Sequence, residues 1–293
     1  MPVYKEYYLA KSIDDALLTL VETPGSARIV AGGTDLILDI QQGRHSPVDT
    51  LVDITRIPEL NSIEMRADHL YIGAGIPLNQ IIKTSLVKEH AVSLIEACRL
   101  IGGPQVRNTA TLGGNVAHAL PAGDGTISLL SLDAKAEVVS RSGARIVNFT
   151  DLFEGPGKST LHPRQDLLVG FLIPRKIPGS ASSFRRVMRP QGVAIAILNM
   201  SVWLLREADR IKDVRIVVGP SGPVPKRAEK TERAFKGQFY NRDLLSKAKE
   251  KLLQEAQFRT SRHRASMEYR QQISGILLEK TMQIAWERAN VPV

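Results

Sequence analysis

The 293-residue chain contains one cysteine, Cys98, and six scattered histidines. A single cysteine allows no internal disulfide, and one thiolate with histidines at these spacings cannot build an iron–sulfur or zinc site. The longest apolar run, 193–205, is interrupted by Asn199 and Ser201 and falls short of the about 20 residues that span a bilayer. No apolar signal region opens the sequence. These absences predict a cytoplasmic protein whose redox or metal chemistry depends on bound groups.

Positive charge is in excess but unevenly distributed. The chain has 39 Lys and Arg against 30 Asp and Glu, a formal charge of +9. Residues 1–174 hold 15 basic and 19 acidic side chains, whereas 175–293 hold 24 and 11. The change falls at 173–180, a stretch with two prolines, a glycine and a serine, which indicates a domain boundary. The net positive charge is also typical of a nucleic-acid-binding module, but the sequence has no zinc-finger or aromatic RNA-binding motif.

Apolar periodicity and capping residues predict the secondary structure. A helix begins at Ile13 with Ser12 as its N-cap and ends near residue 25, and helical spacing over 78–99 makes Cys98 a core residue. Strands are predicted at 28–30, 50–54, 70–72, 135–140 and 144–149 in the first part, and at 183–188, 194–205 and 213–218 in the second. Helices over 242–257 and 265–289 follow these, which is typical of an α+β domain.

Four glycine-rich stretches are candidates for holding phosphate. The stretch 73–78 begins like a dinucleotide fingerprint, but Leu78 stands at the third glycine position and Pro77 interrupts the helix start. The stretch 155–160 resembles the end of a P-loop, but Leu152 stands where its first glycine belongs. We interpret these two as a strand-end turn and an exposed loop.

The other two stretches are Gly-Gly turns that follow apolar runs. They are Ala31-Gly32-Gly33-Thr34-Asp35 and Thr111-Leu112-Gly113-Gly114-Asn115. Paired glycines leave no side chain between backbone N–H groups and a ligand, so a diphosphate fits against them. Thr111 and Asn115 add side-chain donors. Each turn taken singly is also typical of a simple tight turn.

Taken in order with 103–108, 122–124, 166–168 and 184–186, these motifs resemble the FAD-binding (medium) subunit of the molybdenum hydroxylases. That family includes bacterial xanthine dehydrogenase, carbon monoxide dehydrogenase and nicotinate dehydrogenase. The resemblance covers nearly the whole chain and implies an α+β fold. A two-lobed FAD-binding domain of the vanillyl-alcohol-oxidase (PCMH) type would occupy 1–174, with lobes of about 1–55 and 56–174. A CO dehydrogenase flavoprotein-like C-terminal domain would occupy 178–289.

The resemblance also implies which residues contact the cofactor, with Ile101 and Leu168 near the flavin ring and no catalytic or metal-binding residue. The residues it assigns to FAD are Ile29, Val30, Ala31, Gly32, Gly33, Thr34, Asp35, Leu36, Ile101, Ala110, Thr111, Gly114, Asn115, Asp124, Leu168 and Arg185. The family often has a lysine where Arg185 and Arg186 stand, so either arginine is a candidate.

Two residues keep alternative interpretations. Asp124 is the family's acidic residue near the flavin, the N-cap of a helix over 126–132, or both. His118 suggests covalent flavin attachment, but the family holds FAD noncovalently, so we expect a surface or packed histidine.

The resemblance implies an electron-transfer subunit. A large molybdopterin-binding subunit would oxidise a substrate carbon with water as oxygen source, and a small subunit with [2Fe–2S] clusters would pass electrons to FAD and on to NAD or another acceptor. The assembly would be a dimer of heterotrimers, with much of the basic domain, including Lys247, Lys249, Lys251, Arg262 and Arg264, facing partners. The alternative is a self-sufficient FAD-dependent oxidoreductase of the same fold, which needs its own substrate pocket and proton donor or acceptor.

Overall fold

The computed structural model describes residues 3–190 and 194–290. Its first lobe contains, in order, β1 (Tyr4–Leu9), α1 (Ile13–Glu22), β2 (Ala27–Val30), α2 (Leu36–Gln41) and β3 (Val48–Asp53). The strands form a parallel sheet in the order β1-β3-β2, and α1 and α2 are the connections that parallel pairing requires. Ser12 caps α1 as predicted, because its Oγ accepts the Asp15 N–H at 3.1 Å.

The second lobe is built on a five-stranded antiparallel sheet. It contains a 3-10 turn (Pro58–Asn61), β4 (Ile63–Arg66), β5 (His69–Gly73), α3 (Leu78–Lys83), α4 (Ser85–His90), α5 (Val92–Leu100), α6 (Pro104–Arg107), α7 (Leu112–Ala117), α8 (Asp124–Ser131), β6 (Lys135–Ser140), β7 (Gly143–Asn148), a second 3-10 turn (Phe149–Leu152), β8 (Phe153–Gly155), β9 (Lys158–Ser159) and β10 (Asp166–Pro174). The sheet order is β4-β5-β10-β6-β7, and β8 and β9 pair separately. Its helices bury Leu94 and Ile127 against Leu70 and Phe171 of the sheet.

The apolar spacing over 78–99 corresponds to three short helices, α3 to α5, in place of one long helix. The breaks fall at Thr84, whose ψ is 125°, and at Ala91, whose φ and ψ are −143° and 53°. Neither conformation is helical. Ile81, Leu94 and Ile95 of that pattern are nevertheless buried, so the pattern located the buried face but not the turns. Cys98 is buried in this core, as predicted.

Strand β10 joins the two lobes. Leu168 faces the core of the second lobe, whereas Leu167 and Val169 pack with α1 in the core of the first. Successive side chains of a strand point to opposite faces, so one strand closes both cores. Just before it, the Arg164 guanidinium donates four hydrogen bonds of 2.8–3.0 Å to carbonyls after or near the end of α1, those of Leu20, Val21, Thr23 and Gly25.

The C-terminal part is an α+β unit, as its strand-then-helix pattern predicts. It contains β11 (Ser180–Val187), β12 (Leu198–Glu207), β13 (Arg210–Gly219), α9 (Glu229–Phe235), α10 (Arg242–Glu255) and α11 (Met267–Ala289). The strands form an antiparallel sheet in the order β11-β12-β13. Leu278 and Met282 of α11 are buried with Met200 and Val202 of the sheet. The strand predicted over 194–205 is β12, which begins at Leu198; residue 193, the first of the apolar run 193–205, lies outside the described residues.

The C-terminal sheet packs against α5 and α8 through small polar side chains. Ser182 Oγ of β11 accepts the Ser93 N–H of α5 at 3.2 Å, and the hydroxyls of Ser131 in α8 and Ser201 in β12 are 2.6 Å apart. An ion pair of 2.6 Å also joins Arg288 of α11 to Glu96 of α5. Small side chains let the helices approach the sheet closely while every one of these hydroxyls keeps a partner. The interface therefore orients the C-terminal sheet on the second lobe.

No helix in 3–190 or 194–290 is both long and apolar enough to cross a bilayer.

Candidate functional site

The first Gly-Gly turn connects β2 to α2 and presents unpartnered backbone donors. Gly33 has a φ of +67°, a left-handed conformation that glycine adopts without strain. Across the described ranges, the N–H groups of Gly32, Gly33 and Thr34 have no protein acceptor within hydrogen-bond distance. All three residues are only partly exposed. Such a row of free N–H groups is an anion-binding arrangement.

Gly32 lies directly against the second lobe. A Cβ on this residue would be 2.1 Å from the Thr109 carbonyl oxygen and 2.8 Å from the Ala110 Cα. Only glycine allows the two backbones to come this close. The first turn and the segment that leads into the second turn are therefore neighbours, and they bring the predicted residues 32 and 110 together.

The second Gly-Gly turn uses its own N–H groups internally. Gly113 donates to the Ala74 carbonyl at 2.9 Å, and Gly114 donates to Thr111 Oγ1 at 3.0 Å. Thr111 is thus the N-cap of α7, and its hydroxyl hydrogen remains available. Gly114 is exposed. The two turns are therefore not equivalent: the first offers backbone donors, and the second offers a bare glycine surface and side chains.

Asn115 connects the second turn to Asp124. Its Oδ1 is buried without a hydrogen-bond partner, and a Cβ on Gly125 would lie 2.7 Å from that atom. Gly125 follows Asp124 in α8. A buried amide oxygen without a donor is unfavourable by about 1–3 kcal/mol, so this position suits a ligand or water that donates a hydrogen bond.

Asp124 is held by the C-terminal domain. It is 5% exposed, its Oδ2 pairs with Arg186, and its Oδ1 accepts the Asn199 side-chain N–H at 2.6 Å. Burial raises the pKa of the Asp124 carboxyl, and the Arg186 charge and the Asn199 hydrogen bond oppose that rise. The interpretation of Asp124 as an N-cap is wrong, because α8 begins at Asp124 itself with Gly123 as the capping residue.

Three polar atoms close to this carboxylate are also buried without partners: Arg186 Nε, Asn199 Oδ1 and Thr126 Oγ1. They include both donors and acceptors. Native proteins leave few such groups unsatisfied. A polar ligand edge near Asp124 would give these atoms partners, which agrees with a cofactor site that reaches α8.

The two candidate arginines face opposite ways. Arg186 lies opposite Asn199 in the β11–β12 ladder, and Arg185 lies opposite Met200. Because side chains alternate along a strand, Arg186 turns inward to Asp124 while Arg185 is exposed. Arg186 therefore supports an acidic site residue, whereas Arg185 lies on the opposite face of the sheet from Asp124.

The predicted apolar contacts belong to the core of the second lobe. Leu168 is 7% exposed, and Ile101 is partly exposed and packs on the same core. Ile101 is the C-cap of α5 and precedes Gly102, whose carbonyl accepts the Arg107 Nη1–H at 2.6 Å. Arg107 thus fixes the turn that presents Ile101. Of the other predicted residues, Val30 is buried, and Ile29, Ala31 and Leu36 are partly exposed next to the first turn.

His118 lies beside Asp35, with Nδ1 3.4 Å from Oδ1. Neither this pairing nor those of Arg186 and Arg164 was predicted, because they join residues far apart in sequence. Only Asn199 could have been found from the sequence, because an amide inside a long apolar run implies a specific buried partner.

Within 3–190 and 194–290, no group of three or more His, Cys, Asp or Glu side chains converges as a metal site.

The chain matches two families in order: "FAD binding domain in molybdopterin dehydrogenase" over residues 3–176 and "CO dehydrogenase flavoprotein C-terminal domain" over 182–285. The chain belongs to the FAD-binding subunits of the molybdenum hydroxylases. It is 30% identical to the xanthine dehydrogenase FAD-binding subunit of Escherichia coli O157:H7, with 95% of each chain covered.

The fold agrees with this membership. A solved structure of carbon monoxide dehydrogenase from Hydrogenophaga pseudoflava, lacking the Mo-pyranopterin moiety of its cofactor, superposes with a TM-score of 0.92 at 25% identity. The superposition covers 98% of this chain and 99% of that one. The carbon monoxide dehydrogenase medium chain of the same organism is 26% identical, over 98% of this chain and 99% of that chain. The protein is thus an FAD-binding flavoprotein subunit of an oxidoreductase, with the α+β fold that the sequence predicts.

Proposed function

We propose that this chain carries electrons between partner [2Fe–2S] clusters and a final acceptor, NAD or another oxidant, in a cytoplasmic molybdenum hydroxylase. A large molybdopterin-binding partner oxidises the substrate carbon with water as oxygen source, and a small partner holds the clusters. FAD exchanges one or two electrons, so it joins single-electron clusters to a two-electron acceptor. The complete assembly is a dimer of heterotrimers.

The observation that carries this proposal is the row of free N–H groups at Gly32, Gly33 and Thr34, packed against 109–111 of the second lobe. These groups bind the FAD diphosphate without a dedicated lysine. The Thr111 hydroxyl and Asn115 add hydrogen bonds from the opposite lobe. Neutral donors suffice for a dianion in a partly enclosed cleft, which agrees with the acidic excess of residues 1–174.

The remaining residues orient the flavin end of the cofactor. Asp124, fixed by Arg186 and Asn199, accepts a hydrogen bond from it. Ile101 and Leu168 supply apolar contacts for the ring, and Arg186 supplies the positive charge that holds Asp124 in place. In this arrangement the chain binds, orients and shields the cofactor, and the redox chemistry belongs to FAD.

Part of the basic surface of the C-terminal domain binds partner subunits. Lys249 is not a suitable probe of this, because it already pairs with Glu279 at 2.6 Å. Lys247, Lys251 and Arg262 are exposed, and none forms an ion pair with another described residue. Reversing these three charges is expected to weaken co-purification with partners while leaving FAD content unchanged. Unweakened assembly would show that this face is solvated surface.

The deciding experiment is co-expression with a large molybdopterin-binding protein and a small [2Fe–2S] protein from the same organism, followed by purification on this chain. We expect a coloured complex with one FAD per chain, flavin and iron–sulfur absorbance, and a mass of two heterotrimers. A colourless preparation would overturn the proposal. Turnover of a small substrate by the isolated chain at enzymatic rates would instead establish the self-sufficient flavoenzyme.

A further inference from the structure

His118 links the two segments that carry the Gly-Gly turns. It follows α7, which begins at the second turn, and its ring lies beside α2, which begins just after the first. Its Nδ1 is 3.4 Å from Asp35 Oδ1, and its Nε2 is 3.8 Å from Asp39 Oδ2. The two carboxylates are four residues apart on one side of α2, so one ring reaches both.

The charge of this cluster depends on His118. Arg44 Nη1 pairs with Asp39 Oδ1 at 2.9 Å, so Arg44 and protonated His118 together balance Asp35 and Asp39. Neutral His118 leaves one excess negative charge next to the free N–H groups of the first turn. The hydrogen bond to Asp35 raises the pKa of His118 above its usual 6.5; the charges of both carboxylates add to this, and partial burial and Arg44 oppose it.

We propose that protonated His118 is a positioning residue that holds α2 and the first Gly-Gly turn against the second lobe, and thereby retains FAD. This inference rests on the proposed function, because the retained ligand is the FAD diphosphate. Two effects act together when the proton leaves. The contact between α2 and α7 loses its ionic character, and the neighbourhood of the diphosphate becomes more negative.

The pH dependence has a definite sign. A histidine whose pKa is raised in the folded, closed state stabilises that state fully at pH values below 6.5. The stabilisation is lost as pH rises through the raised pKa. FAD retention is therefore expected to be strongest in mildly acidic solution and weaker in alkaline solution.

The test measures FAD dissociation from the full chain by recovery of free-flavin fluorescence between about pH 6 and pH 9, the range around a histidine pKa. For the wild-type chain, we expect release to accelerate about three- to tenfold across this range. His118→Gln is expected to release FAD at the fast rate at every pH. Asp39→Asn is expected to move the wild-type transition to lower pH, because it removes a carboxylate that raises the pKa of His118.

His263→Gln is the matched control, since His263 is an exposed histidine of the C-terminal domain; it is expected to follow the wild type. Urea unfolding of FAD-free His118→Gln measures any general loss of stability separately. An unchanged pH profile in His118→Gln would overturn this inference and leave the proposed function standing. Failure of the wild-type chain to bind FAD at any pH would overturn both.

Discussion

The carboxylate of Asp124, at the start of α8 in the FAD-binding domain, is paired with the guanidinium of Arg186 on β11 of the C-terminal domain. Both side chains are only 5% exposed. Asn199 of β12 donates to the other carboxylate oxygen and also to the Ala122 carbonyl, at 3.0 Å. One acidic side chain of the cofactor-binding domain thus takes its orientation from the neighbouring domain.

Arg186→Met should destabilise the chain strongly. Removing one partner of a buried ion pair typically costs about 3–5 kcal/mol, because the other charge remains buried. Arg185→Met is the matched control: Arg185 is the exposed neighbour on the same strand, and a surface change is worth about 0.5 kcal/mol or less. Urea unfolding of both variants measures the difference. Equal stabilities would show that the pair contributes nothing.

The loss in Arg186→Met should depend on pH. Burial raises the pKa of Asp124, and without Arg186 its largest opposing influence is gone. A carboxyl with a raised pKa favours the folded state only while it is protonated, so the variant should lose stability as pH rises from about 4 towards 8. The unfolding free energy, measured at several pH values relative to the wild type, checks this. A loss independent of pH would contradict it.

Gly32→Ala should separate the two lobes. The added methyl would lie 2.1 Å from the Thr109 carbonyl oxygen, and backbone cannot yield as a flexible side chain does. We expect a destabilisation of about 1–3 kcal/mol, as for other overpacked sites, together with weakened FAD binding in a fluorescence titration. Gly155→Ala serves as the control, because no atom lies within 4 Å of its added Cβ. Normal FAD affinity in Gly32→Ala would mean that the close approach is dispensable.

Arg164→Ala should loosen α1 from the second lobe. Its guanidinium satisfies four carbonyls near the end of that helix, and hydrogen bonds from charged donors contribute about 1.5–3 kcal/mol. We expect a loss of about 3 kcal/mol and faster hydrogen exchange of α1 amides. Arg175→Ala provides the comparison, because Arg175 is exposed and its ion pair with the exposed Asp68 is long, at 3.9 Å. Unchanged exchange in α1 would argue against this role.

Cys98 should report global unfolding. It is the chain's one thiol, it is fully buried, and burial raises its pKa far above the usual range. Because the thiolate is the reactive form, we expect almost no reaction with a disulfide reagent at pH 8 until denaturant unfolds the second lobe. Reaction and loss of fluorescence should share one denaturant midpoint. Rapid labelling of the native chain would contradict the buried placement.

Local patterns in the sequence predicted most helices and strands of the C-terminal domain, and the ends of several helices and strands in the FAD-binding domain. The helix predicted over 242–257 is α10 and ends within two residues of that bound, and the helix predicted over 265–289 is α11, which begins at Met267. In contrast, β1 carries no alternating pattern, because all six of its residues are exposed on a sheet edge. The sequence also did not predict that 78–99 divides into three helices, because the apolar spacing continues across the breaks at Thr84 and Ala91.

The sequence by itself determined the two Gly-Gly turns, the change in charge near residue 174 and, through the order of its motifs, the family. These are local properties, because a turn needs particular residues at neighbouring positions. Only the tertiary structure decided which turn keeps free N–H groups, which arginine reaches Asp124 and where His118 lies. Each of those depends on contacts between residues far apart in the chain, and such contacts are set by packing of the two lobes and the C-terminal sheet.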